Sequence, residues 1–246
     1  MNEPLRDPTG PRPTAPDRPR NTNGPDRLPS AGAAAPSLSS VVEAFAARRW
    51  PSDAAFDSFL PDDVRAVSSR YWTPIAVAAQ AACWFDEFDI HTVVDIGSGA
   101  GKFCVAACLA GRKPRRFIGL EHRSRLVVAA RALADLFQVG GCARFLEGAL
   151  GECALPGAQA YYLFNPFGEN VYCAGEPLDE EVELSEERLA RDVATVQDLL
   201  RTSPVGTFLV TYHGLGGTTP AGFDELRVAG TWPHILRLWQ KREPGG

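Results

Sequence analysis

A chain of 246 residues, 45% apolar and 22% charged, has the makeup of one globular domain with a core of its own and leaves little room for a second. Its formal net charge of −5 argues against broad, charge-driven binding to nucleic acid, so only a local basic patch would serve that purpose. No apolar run is long enough to span a bilayer, and the first residues lack the apolar stretch of a secretory signal, so a cytoplasmic protein without a membrane partner is expected.

Residues 1–37 are rich in Pro, Arg, Asp, Asn and Gly and poor in large apolar side chains. Such a segment cannot bury enough surface to offset the entropy of ordering it, and a disordered tail is expected. Residues 38–70 read as a helical segment. Ser40 and Glu43 have capping-box spacing, with Val42, Phe45 and Ala46 on a helical face. A short helix is expected within 53–69. In Tyr71-Trp72-Thr73-Pro74, Thr73 is the expected N-cap of the next helix and Pro74 its first residue.

From there strand and helix patterns alternate. Residues 91–96 read as a buried strand, 101–110 as a small-residue helix and 115–121 as a strand. Residues 125–139 read as a helix with Leu126, Ala130, Leu133 and Phe137 on one face. Strands are expected at 143–147 and 160–167, followed by a polar, acidic stretch over 168–184. Ser185 caps a helix whose positive end carries Glu186 and Glu187 and whose buried face is Leu189, Val193, Val196 and Leu200. Residues 206–213 read as a buried strand, and 234–241 alternate as a partly exposed one does. This alternation predicts an α/β fold: a doubly wound, mostly parallel, Rossmann-like sheet with helices on both faces and an antiparallel strand near the C-terminus.

The six cysteines form no C-x-x-C pair, and no Cys/His spacing suits zinc, so no metal is expected. Cys104 and Cys108 share one face of the expected helix. The reading for all six is small, buried apolar residues in a reducing compartment.

The stretch with chemical content is VVDIGSGAGKFC, Val93 to Cys104, with three glycines in five residues after a β-branched run. Glycine at a strand-to-helix turn permits positive φ and close approach of a ligand to the backbone. The helix that follows presents free N–H groups and the positive end of its dipole. A nucleotide-like ligand suits such a turn at the carboxyl end of a parallel sheet. The spacing Gly97-x-Gly99-x-Gly101 is not the G-x-G-x-x-G of dinucleotide binders.

That spacing, with Asp95 two residues ahead, resembles motif I of the class I S-adenosylmethionine-dependent methyltransferases. The next strand ends in Glu121, where that superfamily places the acid that accepts both ribose hydroxyls of the cofactor. The resemblance extends from about Thr73 to the C-terminus and implies a methyltransferase-like domain over 71–246. It implies that Asp95, Gly97, Ser98, Gly99, Gly101 and Glu121 bind S-adenosylmethionine, with Asp95 near the methionine amino group. Tyr71 and Thr73 would line a lid formed by the segment before the first strand. Lys102 has two readings, a solvated lysine at a helix start or a partner of the methionyl carboxylate. The chain departs from the family after the third strand: Ala149 stands where an acid commonly meets the adenine amino group, leaving Glu147, Glu152 or a backbone carbonyl for that contact.

A second site is expected where the fourth strand ends, in Asn165-Pro166-Phe167-Gly168-Glu169-Asn170. It resembles the Asn-Pro-Pro-aromatic motif of methyltransferases acting on amino groups, with one proline instead of two. It also resembles the Asn-aromatic element of the non-SET histone-lysine methyltransferases and of small bacterial relatives with a Gly-Lys-Phe-Cys turn. The resemblance makes Asn165, Pro166, Phe167 and Glu169 the acceptor-side, catalytic residues. An Asn carbonyl can orient an attacking NH₂, an aromatic face can hold a planar or cationic acceptor, and a carboxylate can take a proton. His213, ending the fifth strand, reads either as an acceptor-side base or as a structural histidine. The acceptor is expected to be a nitrogen on a protein or small molecule, with nucleic acid ranked lower on charge. Two competing readings are a nicotinamide-dependent oxidoreductase, whose glycine spacing does not match, and a non-catalytic Rossmann-like binding module.

Overall fold

The computed structural model describes residues 36–164, 178 and 185–243. Four short helices come first: α1 (Leu38–Ala46), α2 (Asp53–Asp57), α3 (Asp62–Ala66) and α4 (Ser68–Tyr71). Helix α5 (Ile75–Glu87) leads into β1 (Thr92–Ile96), and the alternation continues through α6 (Lys102–Ala110), β2 (Arg116–Glu121), α7 (Ser124–Leu136), β3 (Ala143–Glu147) and β4 (Ala160–Phe164). The last part is α8 (Glu186–Thr202), β5 (Phe208–Tyr212), β6 (Phe223–Thr231) and β7 (His234–Lys241).

The seven strands lie in the order β3-β2-β1-β4-β5-β7-β6. The first five run parallel, and β7 is inserted antiparallel between β5 and β6. This is the expected doubly wound sheet. Strand β1 is buried throughout, as a strand covered by helices on both faces must be, so its sequence is an apolar run rather than an alternation. On one face Val93, Phe117, Tyr162 and Phe208 join a core with α1, α5, α6 and α7. On the other, Val94, Ile96, Tyr161, Leu163 and Leu209 pack on Val196 and Leu200 of α8. Strand order reverses between β1 and β4, and the crevice outside their carboxyl ends is where such sheets bind ligands.

Several local expectations are corrected. Helix α1 is capped by Ser37, whose hydroxyl accepts from the Ser40 amide, three residues earlier than the capping-box reading placed it. Thr73 does not cap α5. Its hydroxyl pairs with Tyr162, and the free Ile75 amide is taken instead by the Asp53 carboxylate from 22 residues away. Strand β6 was not expected. Its residues are mostly exposed, so it has no buried face to leave a period in the sequence, and it is held by backbone pairing to β7. Cys108 and Cys142 form a disulfide between α6 and the approach to β3, correcting the reading of both as free thiols. Among the described residues no helix is long and apolar enough to cross a membrane.

Candidate cofactor site at the β1–α6 turn

The turn after β1 holds three residues in the left-handed region, Gly97, Gly99 and Gly101, at φ 75°, 54° and 76°. The Gly97 and Ser98 amides both donate to the Leu120 carbonyl at 2.9 Å, and the Gly101 amide donates to the Ser98 carbonyl at 2.9 Å. The turn is thereby tied to β2. A Cβ on Gly101 would stand 2.6 Å from the Phe145 ring and 2.8 Å from the Ala130 methyl. Glycine is needed there both for backbone conformation and for the packing of α6 against β3 and α7. Gly99 faces Trp72, whose ring would lie 2.2 Å from an added Cβ. Trp72 is anchored by its indole N–H donating to the Val64 carbonyl at 2.9 Å.

Glu121, ending β2, is buried. One carboxylate oxygen accepts from the Gly99 amide at 3.0 Å and the other from the Arg123 amide at 2.9 Å. His122 Nδ1 lies 3.3 Å from it. Each oxygen keeps lone-pair capacity beyond the bond it makes. Asp95 is 3% exposed, and the Cys104 thiol donates to it at 3.4 Å. Burial pushes its carboxyl up to about 7, the neighbouring Glu121 charge adds to the rise, and the thiol's hydrogen bond opposes it.

A pocket at this turn is lined by Tyr71, Trp72, Thr73, Asp95, Gly97, Ser98, Lys102, Phe103 and Phe164. It brings together five of the residues expected at the cofactor: Tyr71, Thr73, Asp95, Gly97 and Ser98. Gly99, Gly101 and Glu121 stand beside it without lining it. Tyr162 backs two of the lining residues, stacked on Phe103 with ring centroids 3.5 Å apart and its hydroxyl 2.9 Å from that of Thr73. Lys102 is neither solvated nor free: its side chain is 2% exposed and its ammonium lies 2.7 Å from both Asp53 and Asp57 of α2, with the Ser68 hydroxyl at 3.2 Å. Asp53, Asp57 and Trp72 were not expected here. No local motif marks them, because they reach the turn only through packing of the N-terminal helices.

At the acceptor side, Asn165, Pro166, Phe167 and Glu169 lie outside the described residues. The last described residue of that strand, Phe164, meets Tyr212 at 5.0 Å and His213 at 5.3 Å between ring centroids. His213 Nε2 is 3.1 Å from His234 Nδ1, and the Tyr212 hydroxyl is 3.3 Å from the same nitrogen. Burial, and then the second imidazole, hold His213 below its usual value. Among the described residues no cluster could hold a metal ion.

No protein-family model matches this sequence, and no curated protein matches it. Solved structures do match the fold. An O-methyltransferase from Bacillus cereus in complex with SAH (S-adenosyl-L-homocysteine) aligns over 83% of this chain and 100% of its own, with 8% identity and a TM-score of 0.53. The mitomycin 7-O-methyltransferase MmcR aligns over 83% of this chain and 60% of its own, with 16% identity and a TM-score of 0.51. At these identities the likeness establishes a shared fold: the chain has the sheet and helix arrangement found in these methyltransferases.

Proposed function

We propose that this chain is an S-adenosylmethionine-dependent methyltransferase. The observation that carries the reading is Glu121, a buried carboxylate at the end of β2 bonded to the amide of the central glycine of the turn. A carboxylate so fixed can accept two neighbouring hydroxyls with its remaining lone pairs, which is the recognition a ribose needs. The shared fold with a protein crystallised with S-adenosylhomocysteine supports the same cofactor. Asp95, buried and lining the pocket, suits a cationic ligand, since a positive charge beside it offsets the penalty that keeps it protonated.

When bound, S-adenosylmethionine supplies a methyl group on a positively charged sulfur. Glu121 holds the sugar, Asp95 the ammonium end, and Tyr71 and Thr73 close the pocket from the N-terminal side. Residues after β4 meet the acceptor: Asn165 orients its nucleophile, Phe167 offers an aromatic face and Glu169 takes its proton. The acceptor in this proposal is a nitrogen of a protein or small molecule, the class the Asn165–Pro166–Phe167 sequence favours. The domain boundary that goes with it sets 71–246 as the transferase unit, 38–70 as a helical segment and 1–37 as a tail.

Calorimetry against S-adenosylmethionine and NAD tests the cofactor. Binding of the first and not the second is expected, and the reverse overturns the proposal. Incubation with tritiated-methyl cofactor and extract fractionated into protein, RNA and metabolites tests turnover. Label in the protein or metabolite fraction is expected. Binding without label in any fraction would favour a non-catalytic module.

A further inference from the structure

Lys102 is the one basic side chain lining the cofactor pocket among the described residues, and its ammonium is almost fully buried. A buried ammonium must keep counter-charges. It has two, and they differ. The Asp57 side chain is 7% exposed, while that of Asp53 is 49% exposed at the same 2.7 Å distance. Asp57 could leave only by carrying a charge through the protein interior. Asp53 is half in water already and can turn outward at less cost than Asp57, giving up its bond to the Ile75 amide.

From this asymmetry we propose that Lys102 binds the α-carboxylate of the cofactor's amino-acid end, and that Asp53 is the internal carboxylate it exchanges for that ligand. The inference rests on the S-adenosylmethionine reading above. The exchange leaves the charge around Lys102 unchanged, because one carboxylate departs to solvent as another arrives. Asp57 and Ser68 hold the ammonium in place throughout. Asp53 also accepts from the Ile75 amide with the same oxygen that meets Lys102, so its release also removes the cap from α5. Cofactor loading is thereby linked to the start of the helix that precedes β1.

The probes are S-adenosylmethionine and its decarboxylated analogue, which differ by this carboxylate alone. Calorimetry should show wild-type protein preferring the carboxylated compound. Lys102→Met should reduce that preference at least tenfold while changing affinity for the decarboxylated compound less than threefold. Asp53→Asn keeps an acceptor for the Ile75 amide and removes the competing charge, so it should increase the preference several-fold. Because Lys102→Met leaves Asp57 without its partner and can impair folding, the Asp53→Asn result decides alone if that variant does not fold. An unchanged preference in Asp53→Asn, or an equal loss for both compounds in a folded Lys102→Met, overturns the inference while leaving the cofactor reading intact. Wild-type protein binding neither compound overturns both.

Discussion

Two places on the carboxyl edge of the sheet use left-handed backbone, and they use it differently. At the β1–α6 turn the three positive-φ residues are glycines, and two of them face rings, Trp72 over Gly99 and Phe145 over Gly101. Past β5 the positive-φ residues begin with His213, at φ 61° and exposed, and continue with Gly214 and Gly216 at 87° and 84°. The first turn is conformationally demanding and sterically full, so glycine is required twice over. The second is strained but open, and a functional side chain can be carried there. An exposed imidazole held on left-handed backbone at the rim proposed for the acceptor is a position whose side chain can be tested apart from the fold.

The largest effect is expected from filling the first turn. Gly101→Val meets both the left-handed penalty and the Phe145 ring, and should cost more than about 3 kcal/mol in urea unfolding. A loss under about 1 kcal/mol would mean that α6 can shift away from β3.

Asp95 gives the next effect, through pH. Its folded value lies near 7, above its ordinary value of 3.8. The folded state therefore holds the proton more tightly, and the stability it contributes is complete below about pH 4 and lost as pH rises through about 7. Asp95→Asn should flatten that slope, by an amount on the order of a few kcal/mol across the window. Urea melts at a series of pH values check this. Affinity for S-adenosylmethionine should rise over the same range in the wild type, as the carboxylate forms.

On the acceptor side, Asn165→Ala should lower turnover about a hundredfold with cofactor affinity unchanged, the scale of a lost positioning contact. Equal losses in both would move Asn165 to the cofactor side. Glu121→Ala should weaken S-adenosylmethionine binding by about 1.5–3 kcal/mol in calorimetry, the range for a hydrogen bond to a charged group. Unchanged affinity would count against the sugar contact.

His213→Gly sharpens the comparison at its small end. Relief of the left-handed strain offsets the lost ring contacts, so stability should change by less than about 1 kcal/mol. A loss as large as that of Gly101→Val would make the rim a structural site like the turn.

The sequence by itself determined the sheet, the turn and the acid beside it. Strands buried on both faces leave long apolar runs, and a turn that must reach positive φ three times in five residues leaves glycines. Both are local demands, written where they act. Only tertiary structure decided what surrounds the turn. Asp53 and Asp57 lie 49 and 45 residues from Lys102, and nothing in either segment alone shows that two carboxylates would meet a buried ammonium there. The exposed strand β6 was equally silent, because backbone pairing without a buried face imposes no period. The Cys108–Cys142 bond depended on a juxtaposition across 34 residues that spacing does not encode. Short-range conformational and burial requirements constrain residue type at the position itself, whereas partners brought together by packing constrain one another only after the chain has folded.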